Sequence, residues 1–131
     1  MRPAGGGARK QFPTERNDYM KLRMETIQRT LVVKIEGEVD HHTAEEMRTE
    51  IDREINLHNV QNLIFDFDKV TFMDSSGIGV IIGRYKQIHS RGGKTLIIRV
   101  KPQVDRILEI SGIKKIIDTN GKKLPEKEIA L

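Results

Sequence analysis

Apolar positions change period several times along this chain. Leu22 and Met24, then Leu31, Val33 and Ile35, alternate with polar residues, which predicts two half-buried strands separated by Gln28-Arg29. Thr43-Ala-Glu-Glu46 has the capping-box pattern and predicts a helix start; Ala44, Met47, Ile51 and Ile55 follow at spacings of three and four. Glu45, Arg48, Asp52 and Arg53 fall off that apolar stripe, and the helix should end near His58-Asn59. Leu63 to Phe67 is short, apolar and aromatic, as a buried strand requires. Asp68 to Ser75 reads as a loop that contains Phe72 and Met73. A second helix is predicted from Ser75 or Ser76, with Ile78, Ile81, Ile82, Tyr85 and Ile88 at helical spacing and Gly92-Gly93 as its stop. Lys94 to Val100 reads as another buried strand. Pro102 opens a third helix lined by Val104, Ile107, Leu108 and Ser111 and ended by Gly112. Ile113 to Asp118 is predicted as a last strand, and Pro125 as the start of a small C-terminal helix.

The order β-β-α-β-α-β-α-β predicts an α/β fold: a mixed, mostly parallel β-sheet joined by right-handed crossovers and packed by amphipathic helices. Residues 1–19 show no hydrophobic period and contain Gly5-Gly6-Gly7, Pro3 and Pro13. They read as a flexible basic leader or tag, with residues 20–131 as one domain.

Composition narrows the functional classes. At 131 residues the chain has the length of a single domain. It has no cysteine, which removes a disulfide scaffold, a thiol nucleophile and Cys-ligated metals. No apolar run approaches the about 20 residues of a membrane span, so no membrane insertion is expected, and a cytoplasmic location is. The net charge of +4 and pI of about 9.4 invite a nucleic-acid reading. Yet residues 1–23 hold six basic and two acidic groups, so residues 24–131 are neutral with 17 of each. No direct nucleic-acid partner is expected.

Several short motifs fail on spacing. Gly77-Ile78-Gly79 lacks the third glycine of a dinucleotide fingerprint, since Ile82 stands there, and Gly92-Gly93-Lys94-Thr95 lacks the first glycine of a P-loop, where Ile88 stands. His41-His42 has no companion at metal-ligand spacing, so no metal site is predicted. Ser75 and Ser76 lack the Gly-x-Ser-x-Gly elbow of a hydrolase. Asp74-Ser75-Ser76-Gly77 then has two readings: a serine that caps the second helix, or a regulatory phosphorylation site. An exposed serine opening a helix is open to a kinase, and the helix N-terminus tolerates a phosphate. Phe72, Met73 and Ile78 stand nearby as apolar contact for a partner.

Two segments in order, Gly37-Glu-Val-Asp-His-His-Thr-Ala-Glu45 and Phe72-Met-Asp-Ser-Ser-Gly-Ile-Gly-Val-Ile-Ile-Gly-Arg-Tyr-Lys-Gln-Ile88, resemble the anti-sigma factor antagonists of the STAS domain family, and its sporulation branch in particular. The likeness runs over about residues 20–120, with Val104 to Ile117 also similar. It implies a binding module, not an enzyme: a phosphoacceptor that captures an ADP-bound anti-sigma factor serine kinase and frees sigma F. The ATP-bound kinase phosphorylates it, and a membrane-anchored serine phosphatase resets it. By the same resemblance Ser75 is the phosphoacceptor. Asp40, Asp74, Ser76, Gly77, Ile78 and Gly79 lie at or beside the partner surface. No cofactor is expected, because the kinase supplies nucleotide and metal. An antagonist of a stress-response sigma factor is the alternative within the family.

Overall fold

A computed structural model describes residues 8–12 and 20–122. Its strands are β1 (Ala8–Phe12), β2 (Met20–Ile27), β3 (Thr30–Val39), β4 (Asn62–Met73), β5 (Thr95–Ile98) and β6 (Asp118–Gly121). Its helices are α1 (His41–Leu57), α2 (Ser75–His89) and α3 (Pro102–Ser111), followed by a 3-10 turn at Ile113–Lys115. The strands line up in chain order in one sheet. The β1–β2 and β2–β3 pairs are antiparallel, and β3–β4, β4–β5 and β5–β6 are parallel. The mixed, mostly parallel α/β sheet read from the pattern is the observed one.

The alternation in β2 and β3 turns Leu22, Met24, Leu31, Val33 and Ile35 to one face, where each is 1% exposed or less. There they meet Leu63, Phe65 and Phe67 of β4, Met47, Ile51 and Ile55 of α1, Ile81 and Ile88 of α2, and Val104 and Leu108 of α3. All three helices therefore cover the same side of the sheet. Val32, Ile64 and Ile98 form a smaller buried cluster, which the strand alternation sends to the opposite side.

Four expectations are corrected. First, α1 begins before Thr43. Asp40 is its N-cap and Thr43 is the third helical residue, so the capping box is Asp40–Thr43 and not Thr43–Glu46. Second, the segment expected as a loop from Asp68 is mostly strand, because β4 continues to Met73. The β3–β4 register shifts between Lys34 and Glu36 and again between Gly37 and Glu38. These irregularities break the two-residue period and hide the strand from a pattern reading. Third, Ile113 to Asp118 is not a strand. Ile113 and Ile117 are both buried at helical spacing across the 3-10 turn, and β6 starts only at Asp118. Fourth, the segment before Met20 contains β1, whose backbone pairs Ala8 with Thr26 through Phe12 with Leu22. Ladder pairing needs no side-chain period, so the pattern held no sign of it. The helix expected at Pro125 lies outside the described residues.

Gly93 has a packing reason rather than a phosphate-binding one. A Cβ there would lie 1.6 Å from the Gln61 carbonyl oxygen, so the turn after α2 closes directly on the loop before β4.

Candidate functional site at the paired helix N-termini

β3 and β4 are parallel neighbours, and Val39 and Met73 are register partners at their C-terminal ends. Each is followed by an aspartate and then by a helix. Asp40 and Asp74 therefore emerge side by side, and the Asp74 backbone N–H donates to the Val39 carbonyl at 3.1 Å. The N-termini of α1 and α2, with their outward N–H groups and partial positive charge, come to one edge of the sheet.

Both aspartates are caps. The Asp40 Oδ1 accepts from the N–H of His42 at 2.9 Å and of Thr43 at 3.1 Å. The Asp40 N–H donates to Thr43 Oγ1 at 2.9 Å, and that hydroxyl donates in turn to the Glu38 carbonyl at 3.1 Å. Desolvation pushes the Asp40 carboxyl up, but the bonds from Thr43 and His42 outweigh it and hold the carboxyl below the usual aspartate value. The Asp74 Oδ1 accepts from the Ser76 N–H at 2.8 Å. The cap of α2 is thus the aspartate, and neither serine is needed for that task.

Ser75 is the first residue of α2 and is exposed. Among the described residues its hydroxyl has no hydrogen-bond partner, so no histidine or carboxylate stands ready to take its proton. Ser76 is half-buried and faces a groove of about 290 Å³ between α1 and α2, lined also by His41, Glu45, Arg48, Gly79 and Arg84. Arg84 Nε meets Asp52 Oδ1 at 3.0 Å and ties the two helices together.

Gly77 brings α2 down onto the strand ends. A Cβ there would sit 2.7 Å from Met73 Cγ and 2.8 Å from Val39 Cγ1. Ile78 is 7% exposed and belongs to the core. The expected surface residues therefore divide. Asp40, Asp74, Ser75 and Gly79 are open or half-open to solvent, Ser76 lies in the groove, and Gly77 and Ile78 are buried supports. The His41 and His42 rings lie side by side with centroids 3.9 Å apart and a tilt of 38°, and among the described residues no three His, Cys, Asp or Glu side chains are grouped as metal ligands. None of the described helices is long and apolar enough to cross a membrane.

A sequence reading assigned Thr43 the wrong task. It is the inner half of the Asp40 cap, a relation already visible in the spacing Asp40-x-x-Thr43.

Helix N-termini paired on adjacent parallel strands, with a serine opening the second helix, define a recognisable class of domain. The family model for the STAS domain matches residues 21–126, and the chain belongs to that family. The chain is 37% identical to the anti-sigma F factor antagonist of Paenibacillus polymyxa over 84% of its own length and 97% of that protein. It is 27% identical to the anti-sigma-B factor antagonist of Staphylococcus aureus over 77% of its length and 94% of that protein. The solved structure of the anti-sigma factor antagonist SpoIIAA in its unphosphorylated form matches with a TM-score of 0.67 at 26% identity, covering 92% of this chain and 91% of that one. The Bacillus SpoIIAA in its phosphorylated form matches with a TM-score of 0.60 at 25% identity, covering 92% and 95%.

Proposed function

We propose that this chain is an anti-sigma factor antagonist controlled by phosphorylation of Ser75. In this reading the unphosphorylated form binds an anti-sigma factor serine kinase in the cytoplasm and releases sigma F for sporulation transcription. The ATP-bound kinase modifies Ser75 and ends the complex, and a serine phosphatase restores it. The observation that carries the reading is the exposed, unengaged Ser75 hydroxyl at the first position of α2, beside the Asp40 and Asp74 caps.

That geometry suits a substrate. An incoming kinase can hold the hydroxyl in line with a γ-phosphate because nothing in the chain covers or engages it. The added phosphate carries about −1.5 to −2 charges at neutral pH. Its own helix tolerates it, because it arrives at a positive N-terminus. A bound partner meets it as new charge next to Glu38, Asp40 and Asp74, so close docking is opposed without refolding. The match of this chain to both forms of SpoIIAA over 92% of its length supports a local switch.

Sigma F is preferred to a stress-response sigma factor because identity to the sigma F antagonist is 37%, against 27% to the sigma-B antagonist. Incubation with the cognate kinase and ATP, followed by phosphosite mapping, tests the reading. Modification at Ser75 and none in Ser75→Ala is expected. Full modification of Ser75→Ala would overturn the assignment.

A further inference from the structure

Phe72, Met73 and Ile78 flank Ser75, and the structure separates them. Met73 is 4% exposed and Ile78 is 7% exposed, and both belong to the main core. Phe72 is 48% exposed and belongs to neither buried cluster. The strand explains the difference. Met73 pairs with Val39 and packs under Gly77, so its neighbour Phe72 turns to the other side, directly across from Glu38 in the ladder. A half-exposed aromatic ring is thereby fixed on a strand end three residues before the acceptor serine.

The two chain segments that meet beside it are acidic. Residues 37–43 and 70–79 carry Glu38, Asp40 and Asp74 and no lysine or arginine, in a chain whose net charge is +4. Among the described residues none of these three carboxylates enters an ion pair with a lysine or arginine. Among the described residues the other exposed large apolar ones are Leu57 at the end of α1, Ile110 near the end of α3 and Ile116 after the 3-10 turn, none of them in the segments at the paired N-termini. A second copy of this chain is a poor occupant, since it would set three carboxylates against three. The complementary surface is an apolar pocket with a basic rim.

We infer that Phe72 is the apolar anchor of the partner surface, inserted into a pocket of the anti-sigma factor kinase that lysine or arginine side chains surround. The inference rests on the reading of Ser75 as the phosphoacceptor. A half-exposed ring adds little to the fold but much to an interface that removes it from water. Its contribution is equal in ground and transition states, so it acts on capture and not on the chemical step.

The test is calorimetric titration of the ADP-loaded cognate kinase with wild type, Phe72→Ala and Phe72→Leu, with phosphorylation rates measured on the same proteins. Phe72→Ala should weaken binding about 10- to 30-fold, the lower edge of an aromatic hot spot, as suits a ring already half covered in the free chain. Phe72→Leu should recover part of the affinity. The KM for phosphorylation should rise with kcat unchanged, and the thermal midpoint should stay close to wild type. Affinity of Phe72→Ala within about twofold of wild type, while Ser75 is still phosphorylated, would overturn the anchor and leave the phosphoacceptor reading intact. A variant that changes the chain's own oligomeric state and not kinase affinity would assign Phe72 to self-association. A wild-type chain that the kinase neither binds nor modifies would overturn both readings.

Discussion

Gly77→Ala offers a close test of how the site is built, because Gly79→Ala is its matched control two residues away. Both add one methyl group to the first turns of α2. Alanine is favoured over glycine in a helix interior by about 1 kcal/mol, so helix propensity alone predicts that both variants are more stable than wild type. The surroundings differ. At Gly79 no heavy atom lies within 4 Å of the added carbon. At Gly77 the carbon meets Met73 Cγ at 2.7 Å, Val39 Cγ1 at 2.8 Å and Met73 Sδ at 3.2 Å. Contacts below 3 Å must be relieved. Met73 can move its thioether, but Val39 is β-branched and stiff at the end of β3. Overpacking of this kind costs about 1–3 kcal/mol. The net change for Gly77→Ala is therefore a loss of about 1 kcal/mol, against a gain of about 1 kcal/mol for Gly79→Ala. For a domain of this size that places their thermal midpoints about 6–10 °C apart. Differential scanning calorimetry on both variants measures the gap. The same overlap lifts the start of α2, so the phosphorylation rate at Ser75 should fall in Gly77→Ala. Gly77→Ala stabilised as much as Gly79→Ala would refute the packing argument.

Other outcomes follow from the caps and from charge. Asp40→Ala should cost about 1 kcal/mol in urea unfolding, the usual value of an N-cap. The Asp40 carboxyl is held below its ordinary value in the folded state, so its contribution is complete at neutral pH and is lost as the pH falls through that lowered value. Asp40→Asn should flatten that part of the acid limb; an unchanged limb would show that Asp40 does not supply it. Thr43→Val removes the hydroxyl that accepts from Asp40 N–H and donates to the Glu38 carbonyl, and should lower stability by about 1–2 kcal/mol in the same assay. Ser75→Asp should bind the kinase more weakly than wild type, with a deficit that shrinks as salt is raised from 0.05 to 0.5 M. A salt-independent deficit would point to shape and not charge.

Where a residue's task depends on one local period, the sequence showed it. The stripe Ala44, Met47, Ile51, Ile55 and the alternation through Leu31, Val33 and Ile35 are the observed core faces. Pro102 and Gly112 stand at the two ends of α3 as their types predict. Period reading failed where pairing overrides it. The irregular β3–β4 register makes Asp68 to Met73 look like a loop, and β1 is held by backbone bonds to β2 whatever its side chains are. The site was partly legible for the same reason. Asp-Ser-Ser-Gly marks the start of α2, but only the parallel pairing of Val39 with Met73 brings Asp40 beside Asp74. Whether Phe72 or Met73 faces solvent depends on strand alternation at the end of β4, which a loop assignment leaves undefined.

If Ser75 is the phosphoacceptor, as proposed, the arrangement also accounts for how a single modification works in a basic chain. The positive excess lies in residues 1–23, and residues 24–131 are balanced. Within that neutral part, the two loops at the paired N-termini are locally acidic. Their carboxylates face helix N-termini, whose N–H groups satisfy Asp40 and Asp74 and hold them in place. The acidic edge is therefore preorganised at little cost to the fold, and the proposed phosphate at Ser75 would join it under the same protection. A partner receives no such protection. On the proposed reading it must match two capped carboxylates, Glu38 and one aromatic ring before modification, and afterwards the same ring with about one and a half times the charge. In that same reading the fold tolerates both states and the complex tolerates one, which is the asymmetry a reversible switch requires.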